Sequence, residues 1–90
     1  MYIFFADPGH AWLRVLKTEI EPIKDKISSY SYMNRKYVYL EEDCDAGIFI
    51  KYKFGKDISY RELENKGIIK EKYSENTIIR SFESYNPFDL

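Results

Sequence analysis

The stretch "YIFFADPGHAWLRVL" (residues 2–16) decides how the fold begins, because two apolar runs flank a short turn. The runs "YIFFA" (2–6) and "WLRVL" (12–16) are rich in β-branched and aromatic residues, which favour strands. The tripeptide that follows Ala6 has the composition of a tight turn. The sequence therefore predicts a β-hairpin and assigns structural roles to the turn and to the tryptophan after it: Asp7, Pro8, Gly9 and Trp12.

The same turn contains the only histidine of the chain, His10. A histidine that acts as a general base needs a partner carboxylate and a nucleophile or water, and Asp7 could orient its imidazole across the turn. The commoner arrangement is that Asp7 caps the turn through the backbone while His10 begins the return strand. No serine or cysteine motif accompanies His10, which favours the structural interpretation.

A second hairpin is predicted in "SYSYMNRKYVYL" (29–40), where tyrosines alternate with other residues on both sides of "NRK". The alternation predicts a tyrosine face made of Tyr30, Tyr32, Tyr37 and Tyr39. Four tyrosine hydroxyls are hard to satisfy in the core of a small domain, so at least two of these residues are expected to be accessible. Rigid aromatic side chains suit a protein interface, with Tyr37 and Tyr39 as the expected anchors.

The segment "DCDAGIFIKYKFG" (43–55) is compatible with two structures. Its apolar residues alternate as in a strand. However, Asp43 or Asp45 as N-cap, lysines near the end and Gly55 as the following residue are typical of a helix. We predict a helix, with both aspartates in structural roles at its N-terminus.

The remaining segments complete an α+β domain over residues 1–90. Thr18 is expected to cap a short helix, and Ser59 with Glu62 has the spacing of a capping box. The segments "GIIKEKY" and "TIIRSF" are interpreted as a final hairpin. The predicted fold is a small antiparallel sheet of hairpins with two or three short helices packed on one face.

The composition indicates a folded cytoplasmic protein. Nine Tyr, six Phe and one Trp supply a large aromatic core, and the only cysteine, Cys44, allows no intramolecular disulfide. The first residues contain no basic region and only a short apolar run, which fits neither a signal peptide nor a membrane span. We therefore expect a cytoplasmic location and no membrane partner.

Charge is distributed unevenly, although the net charge is only −1. The run "EEDCD" (41–45) carries four carboxylates and no cation, whereas residues 51–80 carry eight Lys and Arg against five Asp and Glu. This balance argues against a general nucleic-acid coat but leaves room for a local basic face.

The acidic run has two interpretations. Its carboxylates could hold Mg²⁺ or Ca²⁺, but the spacing of an EF-hand is absent, and one cysteine with one histidine is a poor zinc set. The sequence therefore predicts no metal and no cofactor. Glu41 and Glu42 are predicted to contact a partner protein, because an acidic patch steers basic surfaces.

Cations next to the tyrosines suggest a different ligand. Aromatic side chains beside basic residues can stack nucleobases and hold phosphates. If the ligand is a nucleotide, the predicted phosphate-binding residues are Arg35, Lys36 and Arg80. A glycine-rich phosphate loop is absent.

Three stretches, "DPGHAWLRV" (7–15), "ISSYSYM" (27–33) and "YLEEDCDAGIF" (39–49), together resemble a family of small proteins encoded by phages, prophages and plasmids. In that family the turn consists of DPGH, a small residue and Trp-Leu, and the stretch after the acidic run is similar to a helix rich in alanine and leucine. The resemblance implies a setting on mobile DNA inside a bacterium, where small accessory proteins often act against host defence. It carries no catalytic residue over to this chain.

Three functions are therefore expected, in this order. The first is a non-enzymatic inhibitor that docks on a host protein, a nucleic-acid-binding defence effector, in an anti-CRISPR-like or anti-restriction-like manner. The second is a protein that sequesters a signalling nucleotide in a cleft, which two protomers of a homo-oligomer could form. The third is a small metal-dependent enzyme, which requires His10 within reach of at least two acids.

Overall fold

The computed structural model describes residues 1–90 and contains a six-stranded sheet. The strands are β1 (Tyr2–Ala6), β2 (Ala11–Leu16), β3 (Tyr32–Met33), β4 (Tyr37–Glu41), β5 (Ile69–Tyr73) and β6 (Glu83–Ser84). The helices are α1 (Lys17–Ile20), α2 (Asp45–Phe54) and α3 (Tyr60–Asn65). Three short 3-10 segments lie at Glu21–Lys26, directly after α1, and at Ile79–Ser81 and Pro87–Asp89 near the end of the chain. The strands lie in the order β5-β1-β2-β4-β3-β6. The predicted α+β class, a small sheet with about three short helices, is confirmed.

Both hairpins predicted in the first half of the chain are confirmed. β1 and β2 pair antiparallel across the first turn, and β4 pairs antiparallel with both β2 and β3. Leu13 of β2 lies opposite Phe4 on one side and opposite Leu40 on the other. Leu13 and Val15 are buried in the main core on one face of β2, and Trp12 is buried on the other, which explains why "AWLRVL" is an almost continuous apolar run.

The predicted C-terminal hairpin is wrong. β5 instead pairs parallel with β1, with Glu71 opposite Phe4, and residues 79–81 form a 3-10 turn. Ile79 of "TIIRSF" is buried against the sheet, in one cluster with Trp12 and Tyr39, while Ile78 is exposed. The sheet is therefore mixed, with one parallel pair at the β5 edge.

α2 confirms the helix predicted within residues 43–55. Its buried residues recur at helical spacing and face the core: Asp45, Ala46, Phe49 and Ile50. This spacing buries Phe49 and Ile50 on one side, which outweighs their preference for strands. Gly55 ends the helix at a φ of 98°, a conformation open to glycine at little cost, and its N–H donates to the Lys51 carbonyl.

The two other helix starts differ in outcome. α1 begins at Lys17, so the prediction that Thr18 is its N-cap is wrong. The Glu19 carboxylate accepts the Leu16 N–H at 3.4 Å and occupies the place of such a cap. The predicted cap of α3 is confirmed, because the Ser59 hydroxyl accepts the Glu62 N–H at 3.2 Å.

The main core lies between the sheet and the helices. Alternate residues of the three longest antiparallel strands are buried on this side: Phe4, Leu13, Val15, Val38 and Leu40. They belong to one cluster with residues of the helices: Ile20, Phe49, Ile50 and Leu63. Each large apolar side chain that leaves water in this way stabilises the fold by roughly 1.5–3 kcal/mol.

A smaller cluster lies on the opposite face of the sheet. It contains Trp12, Tyr39 and Ile79, with Phe82 among the half-buried residues packed against it. Residues 77–82, which we term the crossing segment, therefore cover part of this face. The rings of Phe82 and Tyr39 lie 5.1 Å apart between centroids.

Asp45 has a structural role different from the one predicted. Neither Asp43 nor Asp45 is the N-cap of α2, because Cys44 occupies that position and makes no side-chain capping bond. Asp45 is only 1 % exposed and its carboxylate accepts hydrogen bonds from the Ser28 hydroxyl at 2.7 Å and the Ser31 hydroxyl at 2.5 Å. The Ser28 backbone N–H also donates to it at 3.1 Å. The carboxylate therefore attaches the loop before β3 to the start of α2.

Replacing Asp45 by alanine is expected to lower the free energy of unfolding by about 3 kcal/mol, because hydrogen bonds to a charged acceptor contribute roughly 1.5–3 kcal/mol each. Asp43→Ala is the matched control, since Asp43 is exposed and lies two residues earlier. Urea unfolding followed by circular dichroism measures both. Equal midpoints for the two variants would contradict the role assigned to Asp45.

Candidate binding cleft beside the first turn

A cleft of about 520 Å³ opens beside the first turn. It collects side chains that are far apart in sequence: His10, Trp12, Tyr30, Tyr32, Glu41, Asp43, Cys44 and Arg80. They come from the first turn and β2, from β3 and the loop before it, from the end of β4 and the loop into α2, and from the crossing segment. The cleft thus unites parts of all the sequence motifs considered for function.

Trp12 lies at the base of the cleft. It is only 2 % exposed, and three side chains surround its ring. The Tyr32 ring meets it edge-on at 6.2 Å between centroids, the His10 ring lies at 5.9 Å, and the Arg80 guanidinium carbon lies 5.6 Å from its centre. This packing fixes one wall of the cleft, because aromatic pairs at these distances contribute roughly 0.5–1.5 kcal/mol beyond burial.

Asp7 organises the turn below the cleft through the backbone. One carboxylate oxygen accepts the N–H groups of Gly9 at 2.9 Å and His10 at 2.8 Å. The carboxylate makes no hydrogen bond to the His10 imidazole, so the arrangement of a base with an orienting acid is not formed. Burial tends to raise the pKa of Asp7, but the two N–H groups and the nearby Arg80 outweigh it and hold this pKa below its usual value.

The turn also holds Arg80 of the crossing segment in place. Its guanidinium donates to the Asp7 carboxylate at 3.0 Å, and the Thr77 hydroxyl donates to the same carboxylate at 3.4 Å. Gly9 leaves space for this contact, because a Cβ there would lie 3.1 Å from the Arg80 nitrogen. The first turn and the crossing segment are therefore joined through one ion pair.

Tyr30 forms the outer wall and is 74 % exposed. Its backbone is held from both sides, since its N–H donates to the Ser28 hydroxyl and the next residue, Ser31, is bonded to Asp45. Sequence reasoning missed both serines, whose only signal is their position in a polar stretch before a strand. The exposed ring is thus carried by a fixed loop.

Carboxylates form the remaining wall. Glu41 accepts the backbone N–H groups of Asp43 and Cys44 at 3.1 Å each, which shapes the loop into α2. Burial and the neighbouring Asp43 and Glu41 raise the pKa of Glu42, although His10 opposes this effect. This direction indicates a negative potential along residues 41–43.

Other predicted site residues lie outside the cleft. Tyr39 is 6 % exposed and its hydroxyl accepts a hydrogen bond from the Asn34 amide, so the prediction of Tyr39 as an accessible anchor does not fit its position. Tyr37 is half-buried beside Arg14, and Glu42 lines a cavity next to α2. Arg35 and Lys36 lie in the β3–β4 turn, at the end of β4 remote from Glu41 and the cleft.

No group of three or more His, Cys, Asp and Glu side chains is placed to hold one metal ion. No helix combines the length and the apolar character needed to cross a membrane.

Asp7→Asn keeps an oxygen for the turn but removes the charge. Because the folded pKa of Asp7 lies below its ordinary value of 3.8, the ionised group stabilises the fold above that pH, and the contribution is lost as pH falls through the folded pKa. The melting temperature of Asp7→Asn is therefore expected below that of the parent protein at neutral pH, with the difference shrinking below about pH 4.

Thermal unfolding of both proteins across this pH range measures the effect, with Asp57→Asn as an exposed control. A difference that stays constant from neutral to acidic pH would mean that the charge of Asp7 contributes nothing.

No protein-family model, no curated protein and no solved structure matches the chain.

Proposed function

We propose that this protein acts without catalysis, by docking on a partner protein, and that the cleft receives a cationic side chain from a basic surface of that partner. The observation that carries the proposal is that one cleft combines the exposed Tyr30 ring with two carboxylates, Glu41 and Asp43, that form no ion pair. Such a site provides both the ring faces and the negative charge that an arginine or lysine side chain requires.

The aromatic part of the site consists of Tyr30 and Tyr32 above Trp12. Tyr30 presents most of its ring to solvent, while Tyr32 is half-buried. A cation held over a tyrosine or tryptophan ring gains roughly 0.5–2 kcal/mol, with the larger values where water is excluded. The Tyr32 ring already packs against Trp12, and the Tyr30 backbone is held by Ser28, so part of the ordering cost is met before a ligand binds.

The charges of the cleft favour a cationic ligand over an anionic one. The three ion pairs of the structure join Lys24 to Glu21, Lys53 to Glu19 and Arg80 to Asp7. The two carboxylates that line the cleft, Glu41 and Asp43, therefore form no ion pair. The only cation of the cleft is already paired. A basic protein surface is therefore attracted to this wall, which accelerates association and sets orientation.

The resemblance to proteins of phages, prophages and plasmids gives this docking a biological setting. A basic surface is characteristic of proteins that bind nucleic acid. We therefore propose a host nucleic-acid-binding defence effector as the partner, met in the bacterial cytoplasm, with inhibition by occupation of its basic surface. This mode is anti-CRISPR-like or anti-restriction-like.

Nucleotide sequestration is the competing function, and the geometry supports it less well. A phosphate in the cleft would face Glu41 and Asp43, and Arg80 is held by Asp7. The two other cations proposed for phosphate, Arg35 and Lys36, precede β4, whereas Glu41 of the cleft ends it. At roughly 3.3 Å per strand residue, they lie about 15–20 Å from Glu41. One cleft therefore cannot use all three.

Tyr30→Ala is expected to weaken binding of an arginine-rich peptide at least tenfold, since an exposed aromatic anchor contributes about 2 kcal/mol to such an interface. Trp12, the only tryptophan, lies in the cleft, so its fluorescence reports occupation directly. Tyr52→Ala is the matched control, because Tyr52 is an exposed tyrosine on α2 outside the cleft. Equal affinity of the two variants would refute the proposed docking site.

Asp43 lines the cleft, and Glu42 lies outside it but adds to the negative potential along residues 41–43. Asp43→Asn combined with Glu42→Gln is therefore expected to reduce the affinity for the same peptide most strongly at low ionic strength, because salt screens exposed charges beyond about 10 Å at 0.1 M. Titrations at two salt concentrations measure this change. Glu64→Gln with Glu75→Gln removes the same charge elsewhere and should have no effect. Tighter binding of adenine and guanine nucleotides than of the peptide would replace docking by nucleotide sequestration.

A further inference from the structure

A second charged surface lies on the same face of the sheet as Trp12, on the other side of the crossing segment. The register places Lys70 of β5 beside Ile3 of β1, and Ile3 beside Arg14 of β2. In the next row, Lys72 lies beside Phe5. Because neighbouring residues in register share a face, both lysines and Arg14 point to one side.

The alternation along β5 separates its charges. Lys70 and Lys72 share a face, whereas Glu71 between them lies on the opposite one, opposite Phe4 of the main core. The two ammonium groups start from backbone positions roughly 6.6 Å apart, at about 3.3 Å per residue. The basic side of this edge therefore carries no carboxylate of β5.

Half-exposed aromatic rings lie among these cations. The Arg14 guanidinium carbon is 4.5 Å from the centre of the Tyr37 ring and 5.3 Å from that of Phe5. The Lys36 ammonium lies 5.5 Å from the centre of the Tyr37 ring. Cations and aromatic rings thus alternate from β5 to β4, across three strand spacings or about 14 Å.

This surface is separate from the acidic cleft. In one row of the register Trp12 lies between Glu41 and Phe5, and in the next row Tyr39 lies between Tyr32 and Arg14. Ile79 of the crossing segment forms one buried cluster with these two central residues. The acidic cleft and the basic surface are therefore two separate sites, and each can bind its own ligand.

We propose that the sheet face formed by Arg14, Lys36, Lys70 and Lys72 around Phe5 and Tyr37 binds single-stranded nucleic acid. Its cations would contact successive phosphates, and its rings and the Arg14 plane would stack against bases. A flat face with several spaced cations suits a strand rather than a mononucleotide. Bases in a duplex do not expose their faces, so the aromatic part selects a single strand.

The test is fluorescence anisotropy with a labelled oligothymidylate of about 12 nucleotides, a length within the range of small single-strand sites. Lys70→Glu with Lys72→Glu is expected to weaken binding at least tenfold and to reduce the slope of log affinity against log salt. Lys51→Glu with Lys56→Glu makes the same change of net charge on and after α2 and should retain most of the affinity. Tyr37→Ala is expected to weaken binding severalfold, because stacking on an aromatic ring contributes to each bound base.

Equal losses in the two charge variants, or full affinity in Tyr37→Ala, would overturn the proposal. So would binding of a duplex as tightly as the single strand, or the absence of binding by the unmodified protein. The proposal stands apart from docking at the cleft, because Tyr30→Ala is expected to bind the oligonucleotide normally. Circular dichroism of each variant verifies the fold.

Discussion

One buried carboxylate holds together the elements that form the cleft. A charge taken out of water destabilises a fold unless hydrogen bonds satisfy it, and Asp45 receives such bonds from Ser28 and Ser31. The Ser31 hydroxyl also accepts the Glu41 backbone N–H at 3.0 Å. The start of α2, the loop before β3 and the end of β4 are therefore fixed relative to one another, and with them the opposite walls of the cleft.

Local patterns were sufficient for much of the fold. The turn after β1, the tyrosine alternation and the capping spacing at Ser59 each depend on residues close in sequence, and each predicted element is present. The parallel β1–β5 pair depends on residues 67 positions apart, such as Tyr2 and Ile69. No local periodicity records which edge strand a segment will join, and the sequence therefore predicts a hairpin over residues 67–82 that does not form.

The site was predictable in composition but not in arrangement. The alternation of residues predicts that Tyr32 and Tyr39 share one face of the sheet, and they do. The crossing segment, however, buries Tyr39, whereas Tyr32 lines the cleft. The sequence suggests Arg80 as a phosphate-binding residue. It does not predict the ion pair with Asp7, because the two residues are 73 positions apart. The sequence also does not separate the acidic corner of this sheet face from its basic part, because both depend on strand order.

The parallel edge pair also sets the order in which the chain can fold. β1 precedes β5 in the chain and acquires its second neighbour only when residues 69–73 have been synthesised, so until then one side of β1 offers unpaired N–H and C=O groups. The chain must close the long loop between β1 and β5 before their hydrogen bonds can stabilise it, so this pair forms late. The antiparallel hairpins, whose partners are close in sequence, are the natural nucleus. The lysines of β5 then serve a further purpose, since charges on a final edge strand hinder its pairing with another molecule.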